Sequence, residues 1–262
     1  GGADGDADTD ADTDSDTDTD ADADADTDAD TDTDADTDTD TGGFDCPTDQ
    51  HEVVDMGLGD FHTCAVVECG GVKCWGSNQF GGLGYPPDEQ PCSGDTPNTC
   101  PFVDLVAKAV QVESGWYHTC ALLEDGEVDC WGGPGIDVPS VCWLSHEPVE
   151  TLDVAATEIS TTGRNNSALL ASGNVFTWGC VNDAMWNTDL LTPDFEGAAI
   201  QVASGDHHHC ALVEGGDVYC WGQNDQGQLG YGHTDLVWGD EVPGVAGPVE
   251  LGAPAVQVAA GG

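Results

Sequence analysis

Three spacings in this chain put reactive side chains at fixed intervals. Cysteines recur as Cys64 with Cys74, Cys120 with Cys130, and Cys210 with Cys220. Asp fills every even position from Asp4 to Asp40. Three imidazoles stand together at His207-His208-His209. Paired thiols can close a disulfide or hold zinc, alternating carboxylates offer hard oxygens to Ca²⁺, and clustered imidazoles can ligate a transition metal. Each of these readings requires something different of the backbone beneath it.

The cysteine spacing is a poor zinc pattern and a good hairpin pattern. With Cys120 opposite Cys130, Leu123 falls opposite Glu127, and Glu124-Asp125-Gly126 remain as a three-residue loop. Such a loop ends on a residue with positive φ, which glycine adopts without cost. Gly70, Gly126, Gly173 and Gly216 occupy that place in four related segments. The cysteine pair then faces across two strands at a separation that permits a disulfide. The third segment, Asn165-Asn166-Ser167 through Trp178-Gly179, has lost both cysteines together, with Ser167 and Thr177 in their places. Loss as a unit is what a bond predicts. Of the other cysteines, Cys92 and Cys100 close a Pro-rich insert, Cys142 pairs with Cys180 in irregular stretches after a Trp-Gly, and Cys46 is left for Cys69.

The four segments are copies. His62-Thr-Cys-Ala, His118-Thr-Cys-Ala and His208-His-Cys-Ala each run on to Trp-Gly. Val110-Gln-Val, Ile200-Gln-Val and Val256-Gln-Val precede them as further strands, and Ser77–Gly84 and Gln223–Gly230 follow two of them as turns. About four short strands per unit, repeating every 40–55 residues, is the pattern of propeller blades. His-Cys-Ala-Leu, Gly-x-Val, Trp-Gly-x-Asn and Gly-Gln-Leu-Gly resemble the repeat of the regulator of chromosome condensation (RCC1) family, including its secreted bacterial relatives. The resemblance covers most of residues 53–262 and implies an all-β propeller, commonly of seven blades. The repeats fall at about 53–101, 102–147, 148–192 and 193–255, with the first strand of a fifth from 256. The pattern predicts an incomplete propeller and a natural protein that continues past residue 262, and a chain opening on Gly1 without Met is what processing or cropping would leave.

Composition restricts the chemistry. The chain of 262 residues carries 51 acids against 3 bases, a formal charge of −48. The alternating Asp residues account for 19, so residues 42–262 still carry 32 acids against the same 3 bases, or −29. Binding to nucleic-acid phosphates needs clustered Lys and Arg, and only Lys73, Lys108 and Arg164 exist, scattered. The same balance opposes an anionic membrane surface, and no apolar run is long enough for insertion. This excludes the chromatin role that the family name suggests. Twelve cysteines indicate an oxidising compartment, hence a secreted or cell-surface protein.

Residues 1–43 form a stalk with no apolar side chain larger than Ala before Thr41, an extended, self-repelling tail. It is a plain spacer, a loose Ca²⁺ binder along Asp4 to Asp40, or an O-glycosylated stem on Thr9, Thr13, Thr17, Thr19, Thr27, Thr31, Thr33, Thr37, Thr39 and Thr41. No Gly stands where a calcium loop needs one, and no other cofactor is implied.

The repeat domain, 44–262, holds the binding candidates. His62, His118 and His208 share one frame position with Asn165 and read as framework hydrogen bonders. Of the His207–His209 triplet at most two could share an ion, because strand neighbours face opposite ways. Trp75, Trp131, Trp178 and Trp221 recur as core. The residues before each framework His vary, and variable loops on a repeated scaffold carry binding. Phe61, Trp116, Tyr117 and His207 stand there, and Trp143 lies in an insert. No nucleophile elbow or zinc-protease motif appears, and Asn165-Asn-Ser167 is a lone glycosylation sequon. The expectation is a non-enzymatic extracellular module for adhesion, assembly or ligand display, with a protein or glycan partner at the cell surface or self-assembly through the tail. The alternatives are a secreted enzyme inhibitor or soluble receptor, or the non-catalytic part of a larger extracellular enzyme.

Overall fold

The computed structural model describes residues 46, 52–85, 92, 97–133, 147–148, 154–181, 186–187, 190–191, 195–237 and 246–261. These form four antiparallel sheets and one three-residue 3₁₀ turn at Pro97–Thr99. The first sheet is β1 (Val53–Leu58), β2 (His62–Val67) and β3 (Val72–Gly76). The second is β4 (Ala109–Ser114), β5 (His118–Leu123), β6 (Val128–Gly132) and the short β7 (Glu147–Pro148). The third is β8 (Ala156–Thr162), β9 (Asn165–Leu170) and β10 (Val175–Val181), with β11 (Trp186–Asn187) and β12 (Leu190–Leu191) along β10. The fourth is β13 (Ala199–Ser204), β14 (His208–Val213) and β15 (Val218–Gly222). These are the four blades expected from the repeats. Their first strands pack in sequence, β1 on β4, β4 on β8 and β8 on β13.

The hairpin register follows from the loop chemistry. Cys64 faces Cys74, Cys120 faces Cys130 and Cys210 faces Cys220. All three pairs are disulfide-bonded, as are Cys46–Cys69 and Cys92–Cys100. Thr177 faces Ser167 in the same register without a bond, and Ser167 instead lies 2.6 Å from Ser204 Oγ in the next blade. Leu123 N–H donates to Glu127 O at 2.9 Å, closing the three-residue loop. The glycine at its end is needed twice. Gly126 has φ of 86°, and a Cβ there would sit 2.5 Å from the Cβ of Ala155 in the next repeat.

That close approach is part of a seam. The carbonyls of Gly70, Gly126 and Gly173 accept the N–H of Ala109, Ala156 and Ala199, each opening the next first strand. Gly216 O accepts that of Ala255, where the strand expected from residue 256 is not formed among the described residues. Further along the strand a side chain takes over. Asp55 Oδ2 accepts from Val112 N–H, Gln111 Oε1 from Ile159 N–H and Gln201 Oε1 from Val258 N–H, at 2.7, 2.9 and 2.9 Å. Glu158 accepts the backbone N–H of Val202 in the same way. A bulge precedes every one of these acceptors, between Val53 and Asp55, Ala109 and Gln111, Ala156 and Glu158, and Ala199 and Gln201. The extra residue turns the acceptor away from its own sheet toward the next. Val258 takes part from the segment read as the start of a fifth blade.

The outer edge departs from the four-strand expectation. In the first and fourth blades a tyrosine stands where most of a fourth strand would. Tyr231 Oη accepts from Cys220 N–H at 3.1 Å and lies 3.0 Å from Cys220 O and 3.2 Å from Gly247 O. Tyr85 does the same with Cys74 and Pro101. A few backbone bonds complete each edge: Val103 N–H to Val72 O and Gly76 N–H to Cys92 O in the first blade, and Val249 N–H to Val218 O with a two-bond bridge between Gly222 and Val237 in the fourth. The apolar segments upstream of one repeat therefore close the blade before it.

Apolar burial lies between blades. Val66 and Val72 of the first pack with Val112 and Leu123 of the second. Leu122 and Val128 pack with Ile159 and Leu170, and Leu169 and Val175 with Val202 and Leu212. Trp131, Trp178 and Trp221 are buried, as read from the repeat. Trp75 is only partly buried. Trp131 donates Nε1–H to Gly82 O in the preceding blade, and no blade precedes Trp75 among the described residues.

The hydroxyl of Tyr231 satisfies both backbone groups of Cys220 on a strand edge. Tyr231→Phe should therefore lower stability by about 1–3 kcal/mol in urea titration. It should also speed hydrogen exchange at the Cys220 amide. Unchanged exchange there would show that the edge is closed by other means.

Candidate protein-binding surface

Strand direction gives each blade two ends. The hairpin glycines lie at one. The turn between first and second strands and the loop after the third strand lie at the other. The first residues at this second end are the framework histidines. His62 Nε2 lies 2.7 Å from Thr119 Oγ1, whose hydroxyl donates to Gly82 O at 2.8 Å. His62 is therefore the donor, through Nε2–H. His118 donates through Nε2 to Asn166 Oδ1 at 2.7 Å. Asn165, in the histidine position of the third blade, donates instead to Asp206 O. His209, not His208, is the deeply buried member of the triplet, with Nδ1 3.1 Å from Ser204 Oγ. Among the described residues no group of three or more His, Cys, Asp or Glu side chains could hold a metal ion.

Burial sets the protonation of this layer. It lowers His62 to about 4 and His209 to about 3, in both cases helped by a neighbouring imidazole. Burial also lowers His118 and His208. The opposite happens on the first strands, where burial raises Glu113 to about 7 and lifts Glu158. Asp55 and Glu158 add like charge around Glu113.

Above the histidines the variable pairs form a rim. Phe61 is 54 % exposed and stacks on Tyr117 of the next blade, with ring centroids 5.5 Å apart and planes 6° apart. Phe80, from the loop after β3, meets Tyr117 edge-on at 4.4 Å. The Arg164 guanidinium lies over the Trp116 ring, 5.4 Å from its centroid. Exposed Asp60 adjoins Phe61, and Asp206 and His207 continue the row on the fourth blade. The backbone beneath is pinned. Phe61 O accepts from Ser77 N–H, Gly163 O from Trp116 N–H and His207 O from Gln223 N–H, at 2.8, 2.9 and 2.8 Å.

Phe61, Trp116, Tyr117 and His207, singled out by their variability, thus stand along one edge, the first three in ring contacts. Trp143, Cys142 and the whole stalk, with its Asp and Thr candidates, lie outside the described residues, and the pairing of Cys142 with Cys180 with them. Phe80 and Arg164 were missed. Phe80 breaks an otherwise repeated turn, in which the fourth blade has Gln226. Gly163-Arg164 is the third blade's version of Trp116-Tyr117. The sequon residue Asn165 is buried in the seam, where no sugar could be attached.

Comparison with known proteins gives the same repeat. The family described as regulator of chromosome condensation (RCC1) repeat matches residues 53–81, 109–135 and 199–228, and a second description of that repeat matches 215–262. The human regulator of chromosome condensation is 32 % identical over 135 residues, 49 % of this chain and 31 % of that protein. The ultraviolet-B receptor UVR8 of Arabidopsis thaliana is 39 % identical over 71 residues, 27 % of this chain and 15 % of that protein. Among solved structures, Prp20p from Saccharomyces cerevisiae is similar with a TM-score of 0.63 at 21 % identity, covering 82 % of this chain and 55 % of that one. The chain spans under a third of the length of these two curated relatives. It carries RCC1 repeats, folded as blades of that propeller.

The buried histidines make the seams acid-sensitive. A histidine held below 6.5 binds its proton in the unfolded chain first, so its stabilisation is complete above pH 6.5 and declines as pH falls toward 4. Glu113 acts the other way, taking up its proton in the folded state below pH 7. His62→Asn, the residue the third blade uses at this position, should flatten the decline between pH 6.5 and 4. The difference in slope is at most about 1.4 kcal/mol per pH unit. Urea titrations at several pH values read this directly, and parallel profiles for the two proteins would contradict it.

Proposed function

We propose that this RCC1-repeat chain is a non-catalytic binding module of the cell surface or extracellular space, which engages a protein partner through the aromatic rim. The observation that carries the reading is the Phe61–Tyr117–Phe80 cluster beside Trp116 and Arg164. Aromatic and Arg side chains are the residues that anchor protein interfaces, and here they lie half-exposed on a pinned backbone. The five disulfides among the described residues favour an oxidising compartment. The acidic stalk, as an extended tail, would hold the module away from whatever anchors it, with or without attached sugar or bound calcium.

The rim can be tested in the protein's own setting. A photo-crosslinking p-benzoylphenylalanine at position 61 should yield a discrete protein adduct on intact cells. The same group at position 217, at the opposite end of the fourth blade, should not. Equal labelling at the two positions, or none at either, would remove the rim from consideration. Labelling seen only after lysis would remove the extracellular location.

A further inference from the structure

This inference rests on the rim reading and concerns what the rim binds. Two of the chain's three cations already lie on aromatic faces, Arg164 over Trp116 at 5.4 Å and Lys73 over Phe102 at 4.7 Å. The rim therefore contains one filled cation–aromatic place. One blade away stands Phe61, the first blade's counterpart of Tyr117. Phe61 is more than half exposed, its ring is backed by Tyr117, and the exposed carboxylate of Asp60 precedes it. A guanidinium or ammonium over an aromatic ring is attracted by the negative face of the π-system, and a neighbouring carboxylate adds to that attraction.

The charge of the molecule selects in the same direction. Residues 42–262 carry −29, so an approaching acidic segment is repelled and a basic one is drawn in. We propose that the Phe61–Asp60 corner receives an Arg or Lys side chain from a basic protein segment, its charged end over the Phe61 ring and paired with Asp60.

The test uses the full chain and three fluorescent probes: a peptide alternating Arg with Gly, its Glu counterpart, and a neutral oligosaccharide. The Asp-rich stalk also attracts the basic peptide, so the readout is the difference between variants. Phe61→Ala should weaken the Arg peptide about two- to fivefold, the range of an exposed cation–π contact. Asp60→Asn should weaken it as well, and Asp217→Asn at the far end should match the unmodified chain. Phe61 is more than half exposed, so its truncation should leave the chain folded, with only the small drop in melting temperature that losing its stacking on Tyr117 brings. Addition of the Arg peptide should also shift the ring resonances of Phe61, to which the stalk contributes nothing. If Phe61→Ala and Asp217→Asn behave alike, or the Phe61 resonances stay still, the proposal is overturned. Phe61-dependent binding of the Glu peptide or the oligosaccharide would overturn the basic occupant while leaving the rim as a binding surface. Absence of any Phe61-dependent binding, together with absence of a crosslink from position 61, would overturn both.

Discussion

The fold depends on how each blade satisfies an edge that no strand covers. The first strand of every sheet has a neighbour on one side only, and unpaired N–H groups on the other side would cost about 1–3 kcal/mol each if buried without a partner. The preceding blade supplies the acceptors in a fixed order. A hairpin glycine carbonyl comes first, then a side chain raised by a bulge, and in the fourth blade also the Ser160 hydroxyl to Ser204 N–H. None of these acceptors works alone. The glycine must be Gly because the next repeat comes within 2.5 Å of where its Cβ would be, and the bulge must occur because a regular strand would aim Gln111 elsewhere. The seams are also where the apolar clusters lie, so hydrogen bonding and burial reinforce one geometry.

The third blade shows how far this scheme tolerates substitution. It lacks the disulfide and the framework histidine, yet keeps register, bulge and hairpin glycine. Its replacements work across the seam. Ser167 bonds Ser204, Asn165 donates to Asp206 O, and Asn166 Oδ1 accepts the hydrogen bond of His118. A disulfide acts mainly on the unfolded chain, whereas these bonds act on the folded interface. A blade can exchange one for the other without moving its backbone.

Much of this was legible in the residues. The C-x₉-C spacing with a glycine at a fixed offset dictates a three-residue hairpin, and the structure closes that loop between Leu123 and Glu127. The framework reading of the histidines followed from their repetition. The seam acceptors were in plain view as Gln111 and Gln201, polar residues flanked by branched apolar ones in near-identical strands. Local pattern does not show which way such a side chain points, because that depends on a bulge with no sequence mark of its own. At the outer edge, Phe102-Val103 and Pro248-Val249 look like the fourth strand that the repeat pattern predicts. The tyrosine that replaces most of it lies some 17 residues away, outside any local window. Phe80 and Arg164 escaped for a related reason, since their role is defined by residues of the next or preceding blade.

The position of the rim follows from the same seams. Hairpin tips cannot vary freely, because each tip glycine is committed to the next first strand. The middle strands are committed to burial. The turns before the framework histidines are fixed by backbone bonds, through the N–H groups of Gly59, Gly115 and Gly205 and the carbonyls of Phe61 and His207, and at Phe61 and His207 that bond asks nothing of the side chain. They are thus the places in each repeat where a residue can change without disturbing a seam, while its neighbour in the next blade remains close enough to touch. Contacts such as Phe61 on Tyr117 and Arg164 on Trp116 join adjacent repeats through residues the fold leaves unspecified. A surface built this way can acquire a specific shape and charge one blade at a time, at little cost to stability. In a chain with so few cations, the placement of Arg164 there is set by this freedom and not by the scaffold.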